Sequence, residues 1–241
     1  MEKSPKIRQP DDPIPLLEHL GELRKGLVYS AIAIFVCGSA VYSKVNIVIE
    51  NIAAPVGKLY FISPFEAFWS QIKIAFFLGL LLSLPVVLFQ VWSFIQKGLL
   101  PREKRYVLLV TAISSVLFIS GAGFCYFLIL PVGVKFLLAT GSDVVIPMLS
   151  ISRYLSFVVG LVFSFGMVFE LPVVIGFLVK AGMLKSRTLV RQWRFAVFAI
   201  FAAAAVLTPG PDVFSQVLMA GPLLILYVIS IVTAKIIERR K

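Results

Sequence analysis

Residues 72–95 read IKIAFFLGLLLSLPVVLFQVWSFI, and this run decides the class of the molecule. A bilayer needs about 20 apolar residues in helical form, and the run supplies them with one lysine near its start. Working outward, five more such runs occupy 27–45, 106–130, 154–179, 193–207 and 214–233. The reading is an all-α integral membrane protein with six transmembrane helices, a single polytopic domain over residues 1–241. The fifth run is short, about 22 Å at 1.5 Å per residue. It must thin the bilayer, let Arg194 snorkel, or lean on neighbouring helices.

Composition agrees. Hydrophobic residues make up 59% of the chain and charged ones 15%, against roughly 45–50% and about 25% in a soluble domain. No stretch between the runs is long enough for a soluble core. The net charge of +11 lies beside apolar spans, so it speaks for orientation in a membrane and not for nucleic acid. Cys37 and Cys125 sit inside apolar runs without zinc-like or CxxC spacing and read as small buried side chains. His19 is the only histidine, which makes neither a metal site nor a triad. The first apolar run has span length and lacks a small-x-small cleavage site, so no cleavable secretory signal is expected. Catalytic motifs are absent: no HExxH, no GxSxG, no phosphate-cradling glycine loop. No enzyme, cofactor or metal is expected.

Basic residues set the direction. Of the 23 Lys and Arg, only Lys44, Lys58, Lys73, Lys135 and Arg153 fall on one side of the spans. The positive-inside rule therefore predicts both termini in the cytoplasm of a multi-pass plasma-membrane protein. The outer loops, 46–71 and 131–153, are rich in Gly, Pro and Ser and are expected to fold over the helix ends. The third outer connection, Thr208-Pro209-Gly210-Pro211-Asp212, reads as a tight turn. Residues 1–12 read as a disordered tail. Leu16, Leu17, Leu20, Leu23 and Leu27 then recur at helical spacing, so 13–25 is expected to be an amphipathic helix on the cytoplasmic surface.

A few residues are costly where they stand. Glu170 lies well inside the fourth span, in Phe169-Glu170-Leu171-Pro172, where a charge costs about 2.5–3.5 kcal/mol. It must be protonated, paired or facing a polar cavity. Its uses range from a bond to a neighbouring helix to a proton site or a contact for another protein's span. Pro172 should free backbone carbonyls and bend that helix. Glu103, just after Pro101, suits a helix N-terminus, and Glu22 could pair with Lys25 three positions on.

Six segments in order resemble the TatC family, the membrane receptor subunit of the twin-arginine protein translocase. They are His19-Leu20-Gly21-Glu22-Leu23-Arg24, Ser63-Pro64-Phe65-Glu66-Ala67-Phe68, the run from Leu84 to Ile95, and Glu103-Lys104-Arg105. Phe165-Gly166 through Pro172 and Thr208-Pro209 through Gln216 complete the set. The resemblance implies a glove-shaped bundle of six helices that self-associates in a complex. It also implies recognition of Arg-Arg signal peptides on folded substrates and export driven by the proton-motive force. The single-span proteins TatA and TatB are the implied partners, within membrane lipid. By the same resemblance Glu22 and Glu103, with Phe94 nearby, form the recognition patch. Glu170, Thr208 and Gln216 are implied to meet a partner span, and Pro55 and Asp212 to be functionally sensitive positions of the outer loops. The loop from Gln96 to Leu100 departs from the family pattern in lacking a proline and an aromatic residue, and Gly210 is an extra glycine. A carboxylate accepts a guanidinium fork bidentately and lysine cannot copy that geometry, so such a patch suits Arg-Arg over Lys-Lys. The competing reading is a proton-coupled transporter or channel using Glu170, but no pair of broken helices stands in matching halves.

Overall fold

The structure is a computed structural model that describes residues 16–99, 104–139, 148–207 and 213–239. The tail 1–12, Glu103, Thr208 and Asp212 lie outside the described residues. Within them ten α-helices follow one another. Helix α1 spans Leu16–Val41, α2 Val45–Ala53, α3 Pro64–Leu99, α4 Lys104–Phe124 and α5 Leu130–Ala139. Then come α6 Ile151–Phe169, α7 Leu171–Lys180, α8 Ser186–Arg191, α9 Trp193–Leu207 and α10 Val213–Arg239. Among the described residues five helical stretches are long and apolar enough to cross a membrane: Leu20–Ala53, Pro64–Gln96, Tyr106–Phe136, Ile151–Lys180 and Met219–Arg239. The shorter apolar helix Trp193–Val206 stands where the short fifth run was read.

The helices depart from the expected boundaries for local reasons. No proline interrupts 16–41, so the segment expected as a separate surface helix forms, from Leu16 on, the opening turns of α1. The loop expected over 46–71 is partly helical, because α2 fills its first third. Pro55 and Gly57 end that helix: Gly57 adopts a φ of 78°, open to glycine at no steric cost, and its N–H bonds the Ala53 carbonyl at 2.9 Å. Helix α3 has 36 residues, about 54 Å of rise, so it outruns a hydrocarbon core of about 30 Å. Helix α4 runs on through a π-helical turn, Cys125–Ile129, into α5. Pro131 carries no N–H for the carbonyl four residues back, which favours that widened turn. The fourth span breaks where Pro172 predicted. Glu170 stands between α6 and α7, its N–H on the Met167 carbonyl at 3.2 Å, as the proline withholds an N–H from Val168.

Glycines let the helices close up. A Cβ on Gly79 of α3 would lie 2.6 Å from the Ile34 carbonyl oxygen and 2.7 Å from Gly38 Cα, so α1 and α3 touch backbone to backbone. Between α4 and α6, Gly121 receives the Phe169 ring and Gly166 the Phe118 ring. Outward, large apolar residues such as Phe35, Phe195 and Phe198 are about three-quarters exposed, the surface that lipid covers in a membrane protein. The long spans, rather than the ten helices one by one, run back and forth between two ends. One end, the basic end, carries the start of α1, the end of α10 and the α7–α8 turn; the opposite end carries α2 and the starts of α3 and α6.

Candidate functional site

At the basic end the register of α1 and α3 is set by the glycine crossing. Gly26 faces Gln90, whose side chain a Cβ would meet at 3.6 Å. One turn back along α1 and one turn on along the antiparallel α3 bring Glu22 level with Phe94, both half-buried. Two of the three residues expected in the recognition patch therefore stand at the same level on facing helices. The third, Glu103, immediately precedes the first described residue of α4. Just inside the patch Trp92, Val107, Val110 and Phe177 form a small core against which Tyr106 and Ile95 pack. The Trp92 and Phe177 rings lie 5.3 Å apart, and Lys180 Nζ rests 3.5 Å from the centre of the Tyr106 ring. Across this end Glu238 of α10 clamps the start of α8. It accepts the Ser186 N–H at 2.8 Å and also the Ser186 hydroxyl.

Midway along the bundle Glu170 is 6% exposed. Ser114 of α4 stands beside its carboxyl, and the Ser114 hydroxyl oxygen accepts from Trp92 Nε1 at 2.9 Å. Neither carboxylate oxygen of Glu170 reaches hydrogen-bond geometry with a described residue, and the same holds for Thr111 Oγ1 on α4. A buried polar group without a partner costs free energy, and the Ser114 hydroxyl, its oxygen already taken by Trp92 Nε1, is the donor beside the Glu170 carboxyl. Gln216, expected beside a partner span, is part-buried and donates from Nε2 to the Phe201 carbonyl at 3.0 Å, tying α10 to α9. The structure does not bring Gln216 and Glu170 into contact.

The opposite end holds a feature that the sequence reading passed over. Glu66 accepts the Ile62 N–H at 3.1 Å, the Ser152 N–H at 3.2 Å and the Ser150 hydroxyl. Its carboxylate thus joins the start of α3 to the start of α6. Beside it Tyr60 and Ser150 form a short parallel bridge, with Tyr60 N–H on the Leu149 carbonyl at 3.0 Å and Ile151 N–H on the Tyr60 carbonyl at 2.9 Å. Buried Tyr154 donates to the Ile52 carbonyl at 2.9 Å and so ties in α2. Exposed Pro55 lies in the turn just beyond. The signal for Glu66 was present in Ser63-Pro64-Phe65-Glu66, the Ser-x-x-Glu capping pattern with proline at the first helical position. The Ser63 hydroxyl oxygen accepts the Phe65 N–H at 3.3 Å, and Glu66 returns the bond to Ile62.

A family model described as Sec-independent protein translocase protein (TatC) matches residues 18–222. The Sec-independent protein translocase protein TatC of Carboxydothermus hydrogenoformans is 42% identical over 235 residues, covering 96% of this chain and 97% of that one. The TatC protein of Aquifex aeolicus is 39% identical over 236 residues, covering 95% of this chain and 98% of that one. A crystal structure of the twin-arginine translocase receptor TatC in DDM superposes with a TM-score of 0.80 at 38% identity, over 90% of this chain and 99% of that one.

Proposed function

We propose, from the premise that this chain belongs to the TatC family of Sec-independent protein translocase proteins, that it is the subunit that receives twin-arginine signal peptides. The family places it as a multi-pass membrane component of a protein translocase, a transport role. In this reading the basic end faces the cytoplasm, and Glu22, Glu103 and Phe94 bind the Arg-Arg pair of a folded substrate's signal peptide. The observation that supports it is the register of α1 and α3, which brings Glu22 and Phe94 to the same level at the end where the basic residues gather. TatA and TatB spans dock along the bundle, with Glu170, Thr208 and Gln216 as their polar contacts, and the proton-motive force drives export. Pro55, exposed in the turn after α2 at the opposite end, and Asp212 are the further sensitive positions in this reading. The unpartnered carboxyl of Glu170 supports partner docking, because a polar group in a partner span would complete it. It also keeps the transporter reading in play.

The deciding experiment is binding of Arg-Arg and Lys-Lys signal peptides to the purified protein in nanodiscs, wild type against Glu103→Ala. Hydrogen bonds to charged groups contribute about 1.5–3 kcal/mol, so either change should weaken binding roughly ten- to a hundredfold. Equal binding by a folded variant would defeat the receptor reading and bring forward small-solute flux through Glu170 as the property to measure.

A further inference from the structure

We propose that the Tyr106 ring is a binding platform for one guanidinium of the signal peptide, and that Lys180 covers this platform until a peptide arrives. The inference deepens the receptor reading and rests on it. Tyr106 stands in the first turn of α4, three residues after Glu103. It packs against the core of Trp92, Val107, Val110 and Phe177, so the ring is held in place from behind. Lys180, the exposed last residue of α7, lays its ammonium 3.5 Å from the ring centre. The chain has therefore placed a cation of its own on an aromatic face at the basic end, three residues along the chain from Glu103.

The two cations are not equivalent. An ammonium is compact and strongly hydrated, whereas a guanidinium is planar, more weakly hydrated and stacks on an aromatic face. An incoming arginine can thus displace Lys180, while a lysine would only exchange one ammonium for another. Two consecutive arginines then have two different receivers: a carboxylate that accepts one fork bidentately, and a ring that takes the other by its face. Lys180 adds a threshold, since a peptide must outcompete it to bind.

The test measures binding of labelled Arg-Arg and Lys-Lys signal peptides to the full chain in nanodiscs. Lys180→Gln uncovers the ring and should tighten Arg-Arg binding about two- to fivefold, the range of an exposed cation–π contact. Lys180→Arg keeps the charge but covers the ring with a better competitor, and should weaken binding by a similar factor. Tyr106→Phe keeps both responses. In Tyr106→Leu they vanish. Should Tyr106→Leu not fold, the opposite signs of the two Lys180 variants still decide, because a lysine acting only as a repelling charge makes Lys180→Arg neutral. A neutral Lys180→Arg, or a gain from Lys180→Gln that survives Tyr106→Leu, overturns the platform. Arg-Arg binding that ignores Glu103→Ala would instead overturn the receptor reading itself, whatever the Lys180 variants do.

Discussion

At the end of the bundle opposite the basic one, polar atoms hold the molecule together; midway along it, side-chain volume does. Glu66 takes donors from Ile62, Ser150 and Ser152, Tyr154 reaches Ile52, and Tyr60 pairs with Ser150. In the middle, Gly121 and Gly166 receive phenylalanine rings from the facing helix, and Phe124 lies against Phe165 and Phe169. The buried polar atoms there include the Glu170 carboxylate oxygens and Thr111 Oγ1, which lie outside hydrogen-bond geometry with the described residues. A hydrogen bond made inside the molecule is closed to a partner, whereas one left unmade is an invitation. The contrast separates Glu66, whose carboxylate is bonded within the fold, from Glu170, whose buried carboxyl has only the Ser114 hydroxyl beside it among the described residues.

The largest effect should come from volume in the middle. Gly166→Leu would drive a side chain into the Phe118 ring, which a single Cβ already meets at 2.6 Å. Overpacking of this kind costs about 3 kcal/mol, measurable as a lowered unfolding midpoint in detergent. A tolerated leucine would mean that α4 and α6 are not locked by that contact.

The next tests belong to the opposite end. Glu66→Leu strips the acceptor from three donors at once and should lower the unfolding midpoint while leaving Arg-Arg peptide binding unchanged. Tyr154→Phe removes one buried bond and strands the Ile52 carbonyl, a loss of about 1–2 kcal/mol. If either variant melted like wild type, hydrogen bonding at that end would be an accompaniment of the fold and not a cause of it. If Glu66→Leu instead abolished peptide binding, the two ends would be coupled and the division drawn above would fail.

How much of this was legible follows from the range of each interaction. Apolar runs are local, so the spans and the short fifth helix could be read directly. Pro172 acts on the carbonyl four residues back, and the break at Glu170 was equally local. Helix ends were harder. Nothing in 16–41 marks where a surface helix would turn into a span, and α3 runs past its apolar stretch because Pro64 and Glu66 start it early. That Glu22 and Phe94 stand at one level depends on a crossing fixed by Gly38 and Gly79, about forty positions apart in the chain, which no local pattern could show. The contact of Lys180 with Tyr106 joins two helices far apart in the sequence and was not visible from either.

The smallest effect on stability is expected where the sequence looks most strained. Glu170→Met replaces a buried carboxyl, with only the Ser114 hydroxyl beside it among the described residues, by an apolar side chain of similar length. Such an exchange removes a desolvation cost and forfeits only the Ser114 contact, so the unfolding free energy should stay within about 1 kcal/mol of wild type or rise. Export of a twin-arginine reporter by the complete translocase should nonetheless fall, because the donor that a partner span would bring loses its acceptor. Glu170→Gln should restore part of that export, since an amide oxygen still accepts a bond and needs no proton. The pairing of an unmoved melting point with lost export is what a group kept for a partner produces. A methionine that lowered the midpoint as Gly166→Leu does would make Glu170 a bonded element of the fold. A methionine that exported normally would deny it any part in docking.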